Sequence, residues 1–147
     1  MIPLVVLVAT TLVLRAVGAF GVDSLDGWQP AVRGGLAAML LITAGAHFGS
    51  RRRDLIAMVP PRLPRPDLLV TLTGVLELAL AVGLVFSATA PVAAVLLVGL
   101  LAALFPANVH AAKARVGIGG RPPTPLGPRA VMQLVFAAAA LAVVVAA

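Results

Sequence analysis

The chain contains no cysteine, which excludes disulfide exchange, thiolate-bound zinc, iron–sulfur ligation and thiolate catalysis by its own residues. It is also poor in charge. Only 11% of its 147 residues are charged and only five are acidic, where a soluble domain carries about 25% charged residues. A surface that faces water on all sides cannot be made from so few polar groups. Phosphate loops, nucleophile elbows and zinc-hydrolase motifs are missing from the sequence as well, which argues against an independent hydrolytic enzyme.

What the chain has is apolar length. Hydrophobic residues make up 61% of it, and the mean hydropathy is +1.11. A helix needs about 20 apolar residues to cross a hydrocarbon core roughly 30 Å thick, and runs of that order recur at 2–20, 31–48, 68–86, 92–112 and 129–147. None shows the period-two alternation of a barrel strand, so backbone hydrogen bonding in lipid leaves only helices. The expected fold is therefore all-α, a polytopic bundle of five transmembrane helices forming a single domain over 1–147. No basic residue precedes the first run and Arg15 lies within it, so it reads as an uncleaved span rather than a signal peptide. Arg15 is placed to snorkel to the outer interface or to face a neighbouring helix.

The distribution of charge sets the expected orientation. Residues 21–30 carry Asp23 and Asp26 with Trp28, an interfacial aromatic. The connector 49–67 holds Arg51, Arg52, Arg53, Arg62 and Arg65 among four prolines, residues 87–91 are uncharged, and 113–128 holds Lys113, Arg115 and Arg121 among glycines and prolines. Basic short loops stay in the cytoplasm. Five spans then put the amino terminus and both basic loops inside and the carboxyl terminus outside, as in a bacterial cytoplasmic (inner) membrane. The net charge of +6 is thus an orientation signal, and nucleic acid is not an expected partner. Glycines and alanines recur in the spans, Gly34, Gly35, Gly74 and the Gly45–Gly49 pair among them, and small residues at such spacing let helices pack closely.

Ionisable groups in a span cost about 2.5 to 3.5 kcal/mol each at its centre, which makes them informative. Glu77 falls about ten residues, or roughly 15 Å, into the third run. At that depth it must be protonated, paired or beside a wet pocket. Arg33, Leu36, Leu40, Thr43 and His47 share one face of the second span, and Thr73, Gly74 and Glu77 share one face of the third. A contact between Arg33 and Glu77 across the bundle is expected. In the fourth span Pro106 frees the Ala102 carbonyl, and of Asn108 and His110 only one can turn inward. Asn108 is taken as the interior residue and His110 as interfacial. Gln133 lies level with Asn108 and His47, so the three suggest a pocket that opens toward the cytoplasmic leaflet and suits a polar head on an apolar molecule.

Several segments together carry a family resemblance. Thr43–Ala44–Gly45–Ala46–His47–Phe48, Pro60–Pro61–Arg62–Leu63–Pro64–Arg65–Pro66, Thr73–Gly74–Val75–Leu76–Glu77–Leu78, Phe105–Pro106–Ala107–Asn108–Val109 and Arg129–Ala130–Val131–Met132–Gln133 occur in that order. From about Arg33 onward the chain resembles the DoxX-like membrane proteins of bacteria. The resemblance implies a four-helix core made by the last four spans, with the first added to it. It also implies polar site positions at Arg33, His47, Glu77, Asn108 and Gln133. Relatives in that group include a membrane subunit of a thiosulfate:quinone oxidoreductase and a membrane partner of superoxide dismutase and a sulfurtransferase, so fold does not fix function.

The leading expectation is a small membrane subunit or anchor of a redox system, holding a quinone or a lipid head group at these residues beside a cytoplasmic redox protein or within a larger membrane complex. The alternative is a non-catalytic assembly or interaction protein whose polar cluster specifies packing. Haem ligation by His47 and His110 is a third reading. Transport is a fourth, and five helices make so small a pathway that it would call for a homo-oligomer.

Overall fold

In the computed structural model, which describes residues 2–146, all five expected spans are helices. They are α1 (Ile2–Ala19), α2 (Trp28–Phe48), α4 (Pro66–Val85), α5 (Ala90–Lys113) and α6 (Leu126–Val145), with a short α3 (Arg52–Met58) inside the first basic connector. All five long helices are long and apolar enough to cross a membrane. Among the described residues no strand forms, an isolated bridge between Ile118 and Arg121 apart. The expected end of the last span at residue 147 lies outside the described residues.

Local chemistry sets most of the boundaries. The chain enters α2 through Gly27 at φ 136°, a conformation open to glycine. This starts the helix at Trp28, three residues earlier than hydrophobicity indicated. Pro66 begins α4 with Asp67 in its first turn, where a fixed φ and a negative charge both favour a helix start. α3 was not expected, because its seven residues lie in a connector rich in arginine and proline. It stops at Met58, and Val59 is extended because Pro60 follows it.

α2, α4, α5 and α6 close a ring of neighbours, each packed on the next, and α1 packs on the outside of α2. A four-helix core with one added helix is the arrangement that the family resemblance implied. The centre is filled by Leu36, Met39, Leu84, Leu97 and Val143. Alanines with no accessible surface, among them Ala31, Ala44, Ala94 and Ala140, let the backbones come close. Facing outward are Leu12, Leu72, Val82, Leu96, Leu134 and Leu141, each about half exposed or more. A belt of this kind is at home in lipid and not in water.

Glycine is needed at two crossings. A Cβ on Gly35 would strike the Thr11 hydroxyl and lie 2.8 Å from the Leu7 carbonyl oxygen, and a Cβ on Gly74 would lie 2.6 Å from His47 Cβ. The Gly45–Gly49 pair does not serve in this way. A Cβ on Gly45 meets nothing within 4 Å, and one on Gly49 meets only the Gly45 carbonyl. The spacing was right for packing, but that face has no helix opposite it.

The two ends of the bundle differ. At the end opposite the basic connectors, Arg15 pairs with Asp26 at 3.1 Å and lies 5.8 Å from the Trp28 ring centre. The Gln29 amide donates to the Val143 carbonyl at 3.3 Å. Arg33 donates from Nε to the Leu84 carbonyl at 2.9 Å and from Nη2 to the Val85 carbonyl at 2.5 Å. It therefore caps the last turn of α4, where carbonyls lack intrahelical partners.

At the basic end the helices do not finish level. The contact of His47 with Gly74 sets the end of α2 eight residues, about 12 Å, inside the start of α4. α3 and the second basic connector occupy the space this leaves. Arg52 secures the step, donating to the His47 carbonyl at 2.9 Å, the Asp67 carbonyl at 2.9 Å and the Thr71 hydroxyl at 2.8 Å. The connectors also join each other. Gly119 and Gly120 both have positive φ, as the mirror-image tight turn requires, and the Gly119 amide donates to Asp54 Oδ2 at 2.8 Å.

Replacing Gly35 with leucine should push α1 off α2 and lower stability by about 1–3 kcal/mol, read as an earlier midpoint in an SDS unfolding titration. An unchanged midpoint would mean that the α1–α2 crossing tolerates a side chain.

Candidate functional site

The step at the end of α2 leaves a cavity of about 340 Å³ at the basic end. Its walls come from every long helix: Ile2 and Pro3 from α1, Ile42 and His47 from α2, Glu77 from α4, Leu104 and Ala107 from α5, Met132 and Phe136 from α6. The connectors add Arg51, Arg121 and Thr124, and the first turn of α6 adds Arg129. A volume of this order and a mainly apolar wall with a few polar groups are the usual features of a small-ligand site.

His47 and Glu77 form the inner polar face. Both are buried, at 8% and 6% exposure, with His47 Nδ1 3.7 Å from Glu77 Oε2. Nδ1 also lies 2.9 Å from the Thr43 carbonyl oxygen, which can only accept. The proton is therefore on Nδ1, and in the neutral ring Nε2 is the acceptor. Glu77 Oε2 is fully buried and has no hydrogen-bond partner among the described residues. Buried polar oxygens are rarely left in this state, and at 3.7 Å the imidazole is too distant to satisfy it. Gly74 makes the pairing possible, since a side chain there would displace His47.

The expected contact between Arg33 and Glu77 does not form. Arg33 stays at the other end of α4, where the carbonyls of Leu84 and Val85 occupy its guanidinium, and it takes no part in the cavity wall. The Glu77 side chain is turned into the bundle and away from lipid.

Asn108 and Gln133 meet each other but not the cavity. Asn108 Nδ2 donates to Gln133 Oε1 at 3.0 Å, and the Gln133 amide donates to the Leu101 carbonyl in the turn before Pro106. The residue that joins them to the cavity is Arg129, which the sequence reading did not place in the site. It is 8% exposed, donates from Nε to the Thr124 carbonyl at 2.9 Å and from Nη1 to Asn108 Oδ1 at 3.2 Å, and lines the cavity. Its position, four residues and so one helical turn before Gln133, was the available signal. Asn108 is the inward residue of its pair, as expected, while His110 lies outside the cavity wall, so the two histidines do not share it. Among the described residues no group of three or more His, Cys, Asp or Glu side chains could hold a metal.

Residues 36–144 match the family described as a domain of unknown function, DUF8561. The chain belongs to that family. The matched stretch takes in His47, Glu77, Asn108, Arg129 and Gln133, but neither Arg33 nor α1. No curated protein and no solved structure matches the chain.

A double-mutant cycle of Asn108→Leu and Gln133→Leu should show coupling of about 1 kcal/mol, in the range of interhelical hydrogen bonds in membranes. SDS unfolding of the wild type, both single variants and the pair measures it. Strict additivity would show that the bond holds nothing together.

Proposed function

We propose that this protein is a small membrane subunit or anchor of a redox system, whose cavity at the basic end binds an amphiphile, a quinone or a lipid, by its polar head. The observation that carries the reading is the His47–Glu77 pair at the inner wall of the cavity, with one carboxyl oxygen lacking a hydrogen-bond partner among the described residues. The DoxX-like pattern of residues supports it, as does the apolar wall formed by Ile42, Leu104, Met132 and Phe136. The orientation that goes with this reading puts the basic connectors in the cytoplasm, in a bacterial inner membrane. A soluble redox partner would meet them there.

The residues present fit a quinone head. When bound, a quinone supplies a two-electron, two-proton couple. The chain contributes proton handling and placement. The unpartnered Glu77 Oε2 accepts a hydrogen bond from a hydroxyl or, when protonated, donates one to a carbonyl. His47 donates its Nδ1 proton to the Thr43 carbonyl, so a further proton on this ring would sit on Nε2. The apolar wall excludes water from the carboxyl and receives the tail.

One observation favours a second reading. The Arg129–Asn108–Gln133 chain ends on the Leu101 carbonyl within the protein, which is what a cluster that only specifies packing would do. On that reading the protein is a non-catalytic assembly factor.

Purification in a mild detergent followed by extraction and mass spectrometry separates the two. Wild type should retain quinone at near one per chain, and Glu77→Gln should reduce retention about tenfold, the value of one hydrogen bond to a buried polar group. Quinone absent from wild type, or held equally by Glu77→Gln, would refute the redox reading.

A further inference from the structure

We infer that the amphiphile carries an anionic head, a phosphate or carboxylate, and that Arg129, Arg51 and Arg121 receive it at the mouth of the cavity. This rests on the cavity being an amphiphile site, as proposed above, and of the two amphiphiles named there it takes the lipid as the occupant, since a quinone head is uncharged.

Arg129 carries most of the weight. It is a guanidinium with 92% of its surface buried, read from its 8% exposure, at the start of a helix that crosses the bundle. Among the described residues no carboxylate lies within 4 Å of it, the ion pairs being Arg15 with Asp26 and His47 with Glu77. Its two hydrogen bonds go to neutral acceptors, the Thr124 carbonyl and the Asn108 amide oxygen. Those bonds use Nε and Nη1, so Nη2 has no protein acceptor among the described residues. A buried positive charge with no negative partner is costly, and a cavity lies beside it.

The connectors bring two further charges to the same wall. Arg51 follows directly on the loop that ends α2, and its Nε would lie 3.3 Å from a Cβ on Gly119, so it reaches across to the tight turn of the second connector. Arg121 leaves that turn, its amide bonded to the Ile118 carbonyl at 3.2 Å. Neither makes a side-chain hydrogen bond or an ion pair among the described residues. The one acidic side chain near the turn, Asp54, accepts from the Gly119 amide. The cavity wall thus holds three guanidinium groups against one carboxyl, Glu77, and that carboxyl lies at the far end, beside His47. Guanidinium forks suit oxyanions in geometry as well as charge. The apolar residues Ile42, Leu104, Met132 and Phe136 continue from this polar mouth, so the head would be followed by a tail. A free anion would use only the mouth.

The test uses the full chain in dodecyl maltoside, stripped of lipid and titrated with phosphatidylglycerol, phosphatidylcholine or inorganic phosphate, with bound ligand counted by native mass spectrometry. Wild type should prefer phosphatidylglycerol to phosphatidylcholine by about tenfold or more, Arg129→Gln should lose most of that preference, and Arg129→Lys should keep part of it. Inorganic phosphate should compete only weakly. Circular dichroism and elution volume check that each variant is folded, and Arg51→Gln with Arg121→Gln provides a variant outside the helices. Equal binding of the two lipids, a preference that survives both sets of substitutions, or phosphate binding as tightly as phosphatidylglycerol would overturn the inference. Ala107→Trp, which fills the cavity, separates the two levels. If the filled protein loses all amphiphile while Arg129→Gln binds as wild type, the anionic head is wrong and the cavity stands. If the filled protein still binds phosphatidylglycerol as wild type does, the cavity reading falls with it.

Discussion

The crossing of α2 over α4 at Gly74 sets the rest of the structure. Because no side chain stands at Gly74, His47 comes within van der Waals contact of the α4 backbone, and α2 ends well inside the layer that α4 begins. That step buries His47, gives Glu77 a neighbour, and leaves a space at the basic end that α3 and the second connector only partly fill. The cavity follows from unequal helix ends. Bundles whose helices finish level fill that space with side chains.

Arginine has two different uses in this chain. Arg33 donates to carbonyls in the last turn of α4 and Arg52 to the His47 carbonyl in the last turn of α2, where the backbone has no partner of its own. Arg129 does part of this, through the Thr124 carbonyl, but retains an open donor toward the cavity. Arg51 and Arg121 have no such structural partner. The division between guanidinium groups that close the bundle and those that face the cavity is what gives the basic end a chemical character beyond orientation.

The polar cluster that the sequence suggested resolves into separate parts with separate physics. Asn108 and Gln133 form a bond between α5 and α6 close to the proline turn, a place where a helix exposes backbone carbonyls. His47 and Glu77 belong to the α2–α4 seam. Arg129 bonds to Asn108 and lines the cavity that His47 and Glu77 also line. Membership of a family described as a domain of unknown function leaves the chemistry to be argued from these contacts, and the cavity that has the Glu77 carboxyl and the buried Arg129 guanidinium in its wall is where they point.

The number of spans, their approximate limits and which connectors share an end of the bundle were legible in the sequence, because they depend on a one-dimensional quantity, the length and order of the apolar runs. The inward orientation of Glu77 and Asn108 was also legible, since lipid penalises any other direction. What pairs with what was not. Arg33 and Glu77 share neighbouring helices, yet relative sliding of α2 and α4 moved Arg33 to the carbonyls of α4 and put His47 beside the acid instead. The Gly45–Gly49 pair had the spacing for packing and found no helix opposite. Helical period fixes which residues share a face, but the axial offset between two helices is settled by the fit of many side chains at once. Only the tertiary structure decided that offset, and with it the cavity and the part Arg129 plays in it.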